Sequence, residues 1–362
     1  MSSKMSVKQT IKALILRRIT QNKTTGNIIN TPKNILFLRY DRIGDMIITT
    51  PVFREFKKFY PDSKVYVLAS KTNREIIKYN PYIDKIFINH KHALISDIPD
   101  LLRLRKLKID IAVEFDHSVI PHSILRLKII KPNQVISVEK DGRYGVPGKE
   151  LMLYDHYSKK GEDEHARDIW LRTIESLTGK VINRNYEIFL NNKSIVKSEK
   201  FIEQLDSDFV VGFNLEGAVK GKKISFSDFE ELANRIKEIL PIAKIILFSY
   251  PKKRDQLIRK IDNSDLTNVS MSYPTCSITD LCALIKKMDL IITPDTSVVH
   301  IASAFDIPII SIHEKNLNSF KLFMPQSTIS RTVFSDESNS LKGFKISEVV
   351  KFFEEIMNLL GK

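Results

Sequence analysis

Cysteine is nearly absent from this chain of 362 residues. The two present, Cys276 and Cys282, have no second pair beside them, which excludes a disulfide framework and a structural zinc site and fits a reducing cytoplasm. Long apolar runs are also missing. None approaches the roughly 20 residues that a membrane-spanning helix requires, and the run Ala13 to Leu16 is too short for the core of a signal peptide. A Gly-x-Gly-x-x-Gly at a strand-to-helix corner is absent too, which argues against a dinucleotide-dependent oxidoreductase. There is no zinc-finger spacing, no aromatic and basic RNP pattern and no helix-turn-helix signature, so nucleic acid is not the expected partner. Negative charge is outnumbered. Lys and Arg total 57 against 43 for Asp and Glu, a net charge of +14, which favours anionic partners such as phospholipid head groups or an acidic glycolipid.

What is present alternates. Ile35 to Leu38, Lys64 to Leu68, Lys85 to Ile88 and Ile109 to Phe115 read as strands, separated by helical stretches such as Thr50 to Phe59. A second series opens at Phe209 to Phe213, continues through Lys244 to Phe248 and Asn268 to Met271, and closes with Leu290 to Thr293 and Ile309 to Ile312. Strands alternating with helices predict parallel sheets, hence an α/β protein of two similar halves. Ahead of them, residues 1–30 carry Lys4, Lys8, Lys12, Arg17 and Arg18 around Val7, Ile11, Leu14 and Ile15. This is a basic amphipathic helix able to lie on an anionic leaflet, or else a simple N-terminal extension. The polar break at Asn191 to Ser194 sets the expected domain boundary at 192, giving a first domain over 31–192 and a second over 193–345. Ile346, Val349, Val350, Phe353, Ile356 and Leu360 mark a final helix, 346–362, with one buried face.

Two corners hold the candidate chemistry. Met288 to His313 reads as strand, polar turn, helix and strand. Pro294 closes the first strand and Thr296 or Ser297 caps a helix carrying Val298, Val299 and Ala302. The free N–H groups of that helix start, with the positive end of its dipole, suit an anion such as a diphosphate; a plain helix cap is the alternative. In the first half, Ile35 to Leu38 runs into Arg39-Tyr40-Asp41-Arg42-Ile43-Gly44-Asp45, where Gly44 relaxes the backbone and Asp45 stands at the helix start, as a cap or as a reactive carboxylate. Asp206-Ser207-Asp208 has the look of a metal-binding Asp-x-Asp but precedes a strand, and is read as a loop.

Both corners resemble the signatures of the heptosyltransferases, glycosyltransferase family nine. Pro294-Asp295-Thr296-Ser297-x-x-His300-x-Ala302-x-Ala304 is similar to that family's Pro-Asp-Thr-Gly-x-x-His-x-Ala-x-Ala, with Ser297 in place of glycine. Arg39-x-x-Arg42-Ile43-Gly44-Asp45 with Pro51, followed by Tyr60-Pro61-Asp62, resembles its N-terminal signature. Asp110-Ile111-Ala112-Val113-Glu114-Phe115-Asp116 is similar to its Asp-x-x-Ile-Asp-x-Gln strand end. Phe213-Asn214-Leu215-Glu216-Gly217-Ala218 with Lys222 resembles its Asn-Pro-Gly-Ala loop and downstream Lys. The resemblance spans about residues 33 to 315.

It implies two Rossmann-like domains facing a cleft, the glycosyltransferase B fold, with the last helix crossing back to the first domain. It also implies an inverting transfer of a heptose or related sugar from a nucleotide-diphosphate donor, typically ADP-heptose, to a hydroxyl of a lipopolysaccharide core or other surface glycan. The implied catalytic base is Asp45. Donor contacts fall to Gly217, Lys222, Asp255, Asp295, Thr296, Ser297 and His300, and acceptor contacts to Arg39, Arg42, Glu114 and Asp116. Glu114 and Asp116 depart from the family's Asp and Gln, which implies a changed acceptor. His117 and His122 are read as surface histidines. No metal or cofactor is expected. The implied location is the cytoplasm, peripheral on the inner leaflet through residues 1–30. A nucleotide-sugar epimerase on the same fold and a non-catalytic sugar-nucleotide-binding scaffold are the alternatives.

Overall fold

The computed structural model describes residues 7–20, 29–90, 94–150, 154–217 and 222–362. The chain divides into two compact units, Met1–Asn185 and Tyr186–Lys362. The division falls seven residues before the polar break read as the boundary, because Asn191 is the cap of a helix, its side chain accepting from the Ser194 N–H at 2.9 Å.

In chain order the first unit contains helix α1 (Val7–Thr20), strand β1 (Asn34–Arg39), α2 (Ile43–Phe59), β2 (Lys64–Ser70), α3 (Arg74–Ile77), β3 (Lys85–Asn89), α4 (Leu94–Lys106), β4 (Ile111–Glu114), α5 (Pro121–Ile130), β5 (Gln134–Val138), β6 (His156–Ser158) and α6 (Ala166–Thr178). The strands are all parallel, in the order β3-β2-β1-β4-β5-β6. β1 and β4 are central and covered on both faces, so they read as unbroken apolar runs.

α2 begins seven residues earlier than the stretch read from sequence and runs straight through Pro51. Proline has no N–H to give the Ile47 carbonyl, and the Thr50 hydroxyl, 2.7 Å away, takes up that acceptor. Further along α2 the buried Arg54 donates to the carbonyls of Asn183 and Asn185, each at 2.7 Å. Those two bonds clasp the end of the unit to its longest helix.

The second unit contains α7 (Asn192–Glu203), β7 (Val210–Asn214), α8 (Phe226–Ile239), β8 (Lys244–Phe248), α9 (Arg254–Asp262), β9 (Val269–Met271), α10 (Ile278–Ile285), β10 (Leu290–Pro294), α11 (Ser297–Ala304), β11 (Ile309–His313), α12 (Leu317–Phe323), β12 (Ser330–Phe334) and α13 (Ile346–Leu360). Its parallel order, β12-β11-β10-β7-β8-β9, is the first sheet's order with each strand number raised by six. Each sheet therefore reverses direction of growth once, between β1 and β4 and between β7 and β10, where doubly wound folds leave a crevice at the strands' carboxyl ends. Asp206 to Asp208 lies in the connection entering β7, as read from sequence.

Of the final helix α13, the buried residues Val349, Phe353, Ile356 and Met357 join the second unit's core, with Phe229, Leu232 and Ile236 of α8 and Ile310 and Ile312 of β11. At roughly 1.5–3 kcal/mol per buried large apolar side chain, that face is a substantial part of the second core's stability. At the other end of the chain α1 occupies part of the amphipathic segment, and residues 1–6 and 21–28 of that segment lie outside the described ones. Ala13 and Leu16 pack into the first unit's core, while Ile11, Leu14 and Ile15 are 52%, 60% and 55% exposed. No helix among the described residues is long and apolar enough to cross a membrane.

Candidate active site

In the second unit the polar residues gather where β7 and β10 end. Thr296 caps α11, its hydroxyl accepting from the Val298 N–H at 3.2 Å, so Ser297 is the first helical residue and the dipole's positive end sits at the switch point. Asn214, closing β7, braces this corner. Its amide donates to Thr293 Oγ1 and to the Glu216 carbonyl, both at 3.0 Å. His300 is buried one turn into α11.

Gly217 has a reason within the chain itself. The chain turns back so that Glu216 bridges Lys223, and a Cβ at Gly217 would overlap the Lys222 carbonyl. Glycine is thus required by the chain's own close approach, which in turn brings Lys222 to the site. Ala218 of the same motif lies outside the described residues.

Lys222 Nζ is 2.8 Å from Glu314 Oε1 and 4.0 Å from Asp295 Oδ2. Glu314 was not singled out from sequence, nor was His313 before it. His313 ends β11, the neighbour of β10, and Glu314 follows it. Burial pushes the His313 imidazole down to about 4, with repulsion from His300 and Lys222 adding to the effect and Asp295 opposing it, so the ring is neutral at physiological pH. Asp255 stands apart, exposed in the first turn of α9, and no described contact joins it to Lys222 or Asp295. The carboxylate on the β7 loop that does pair is Glu216, held by Lys253 at 2.6 Å.

The first unit repeats the plan at the ends of β1 and β4, with carboxylates in place of hydroxyls. Asp45 is the third residue of α2 rather than its cap, and its Oδ2 accepts from the Arg42 N–H at 3.2 Å. Arg42 is exposed. Arg39 is not: at 2% exposure its guanidinium lies 3.6 Å from the Trp170 ring centre, donates to Asp41 at 2.9 Å and to Thr49 at 3.0 Å, and reaches the Asp45 carbonyl at 3.3 Å. Expected as an acceptor contact, Arg39 is engaged in fixing the corner that carries Asp41 and Asp45.

Glu114 is likewise committed inward. It forms a buried ion pair with Lys140 and accepts from Ser137 at 2.6 Å; burial opposes its ionisation, and the Lys140 charge together with hydrogen bonds from Asp116, Lys140 and Ser137 holds it below the usual glutamate range. Asp116 is the opposite case. Burial, then repulsion from Glu114 and Asp41, pushes its carboxyl well above the ordinary range, and it hydrogen-bonds both of those groups. Asp41 is raised as well, chiefly by burial, with Arg39 opposing. His117, read as a surface residue, has both ring nitrogens buried and is pushed down to about 4, mainly by burial. His122 is exposed, as read.

Two Rossmann-like domains of one strand order, each with its polar cluster at the switch point, define the glycosyltransferase B class of fold. The comparisons agree. The description "Glycosyltransferase family 9 (heptosyltransferase)" matches residues 151–348, and the chain belongs to that family. It is accordingly an enzyme of the glycosyltransferase class. Its similarity to the lipopolysaccharide core heptosyltransferase OpsX of Haemophilus influenzae is 22% identity over 315 residues, 86% of this chain and 87% of that protein. The fold matches that of a family 9 glycosyl transferase from Veillonella parvula with a TM-score of 0.75 at 17% identity, over 92% of this chain and 99% of that one. It matches the E. coli ADP-heptose lps heptosyltransferase II with a TM-score of 0.69 at 14% identity, over 91% and 100%.

Proposed function

We propose that this enzyme transfers a heptose or closely related sugar from a nucleotide-diphosphate donor, ADP-heptose, to a hydroxyl of a lipopolysaccharide core or similar surface glycan, with inversion. The observation that carries the donor half is the Thr296-capped start of α11 at the β7/β10 switch point with Lys222 beside it, a helix N-terminus and a cation matched to a diphosphate leaving group. The names of OpsX and of the E. coli heptosyltransferase II supply the sugar, the nucleotide and the acceptor class. Asp45 serves as the base that takes the acceptor's proton, and Asp116 and Asp41 lie at the same strand ends as acceptor contacts.

The glycolipid acceptor places the enzyme against the inner leaflet. α1 supports that reading: Ile11, Leu14 and Ile15 face outward beside Lys8, Lys12 and Arg18, while Ala13 and Leu16 anchor the helix to the body of the first unit. The test of the whole reading is incubation of the full chain with ADP-heptose and delipidated core oligosaccharide, read by mass spectrometry. A gain of one heptose on the oligosaccharide is expected. Conversion of the sugar nucleotide without an acceptor would replace transfer by epimerisation, and no change in either molecule would overturn the proposal.

A further inference from the structure

At the carboxyl end of β11 two polar atoms are buried without a partner. His313 Nε2 and Glu314 Oε2 have no hydrogen bond among the described residues, and the two side chains belong to residues only 3% and 8% exposed. An unmet donor or acceptor in such a place is costly, and two adjoining ones mark a position built for a ligand group. They border the diphosphate corner directly: Glu314's other oxygen holds Lys222, which also faces Asp295, and Asp295's backbone N–H donates to the Ile312 carbonyl at 3.1 Å.

The chemistry of the two atoms narrows what fits. A free carboxylate oxygen repels phosphate, so the group it meets carries a hydrogen to donate. The neutral imidazole beside it offers one further donor or acceptor site, according to its tautomer. An unmet carboxylate oxygen and an unmet imidazole nitrogen on consecutive residues suit a pair of hydroxyls on a sugar. His313 is also held in place, its ring lying edge-on to Phe320 at 5.0 Å and tilted against Phe334 at 6.3 Å.

Resting on the donor-site reading above, we propose that His313 and Glu314 recognise a pair of hydroxyls on the nucleotide sugar and so select the donor, while Lys222, positioned by the same carboxylate, meets the diphosphate. Such a diol exists on the transferred sugar and on the ribose. The two sources are separable by titrating the full chain, calorimetrically, with ADP and with ADP-heptose. Glu314→Gln keeps the shape of the side chain and His313→Phe keeps the ring contacts with Phe320, so either variant serves if the other folds poorly.

The expected result is a loss of about tenfold or more in ADP-heptose affinity in both variants, the usual weight of a hydrogen bond to a charged group. ADP affinity equal to or above that of the parent assigns the diol to the transferred sugar; an equal loss for ADP assigns it to the ribose. Affinities within twofold of the parent for both ligands in both variants would overturn this inference and leave the donor site standing. A parent chain that binds no nucleoside diphosphate at all would overturn the donor site itself, and this inference with it.

Discussion

Lys222 Nζ and Glu314 Oε1 are 2.8 Å apart with side chains 14% and 10% exposed, so the cation assigned to the diphosphate is itself held by a carboxylate. Lys222→Ala removes the cation and strands that carboxylate. The expected cost is about 3 kcal/mol of stability, as for other buried pairs broken on one side. Adding Glu314→Gln should recover most of it. Nucleotide binding should stay weaker by roughly 1.5–3 kcal/mol in both the single and the double variant, because neither has the cation. Denaturant melts and calorimetry read the two effects separately. Recovery of ADP affinity in the double variant would show that Lys222 only neutralises Glu314. Affinity abolished by a chelator would point to a metal in its place.

Asp45→Asn separates a base from a structural carboxylate. Asn keeps an oxygen for the Arg42 N–H, so the start of α2 and the melting temperature should hold. Turnover should fall by roughly two to four orders of magnitude with nucleotide affinity near normal. Transfer within a few-fold of the parent would move the base to Asp41 or Asp116.

The raised carboxyl of Asp116 makes a signed prediction about pH. Its pKa is higher folded than unfolded, so the folded state binds the extra proton, and its contribution to stability is full below the unfolded carboxylate range and lost as pH rises through the folded value. Asp116→Asn removes that titration. The variant should be the more stable of the two at pH 8, with the advantage shrinking towards pH 4. Melting curves across that span would reject the assignment if the parent were the more stable at pH 8.

Membrane contact through α1 depends on its outward apolar residues and its charge. Ile11→Glu with Ile15→Glu should abolish sedimentation of the full chain with anionic vesicles and leave donor binding intact, since the buried Ala13 and Leu16 are untouched. Equal pelleting with neutral and anionic vesicles in the parent, or no effect of the double change, would dismiss it.

Much of this was legible in the chain because the information is local. The corner at Pro294 to Ser297 is set by a proline and short polar residues within a few positions, Asp45 falls in the first turn of α2 that its sequence announces, and strands buried on both faces announce themselves as apolar runs. β5 was not among the strands read although all five of its residues are buried, and β6 and β12 were not legible for a physical reason. β6 has three residues and β12 buries only Val333, so neither carries the apolar signal that burial writes into a strand. The partners of Arg39 escaped notice because Trp170 and Thr49 reach it through the fold. Glu314 did so because its partner lies on a different loop, one that only strand order brings near. His117 looked like a surface residue because nothing in its neighbours tells that α/β packing closes over both of its nitrogens.

The clasp of Arg54 on the Asn183 and Asn185 carbonyls decides where the gene can be cut. A fragment ending at 182 would lose the two carbonyls that accept from this buried guanidinium and should be recovered as aggregate, whereas one extended through Asn185 keeps both. A first half expressed by itself should therefore extend at least to residue 185, and nuclear magnetic resonance of that fragment would observe the first unit free of the second.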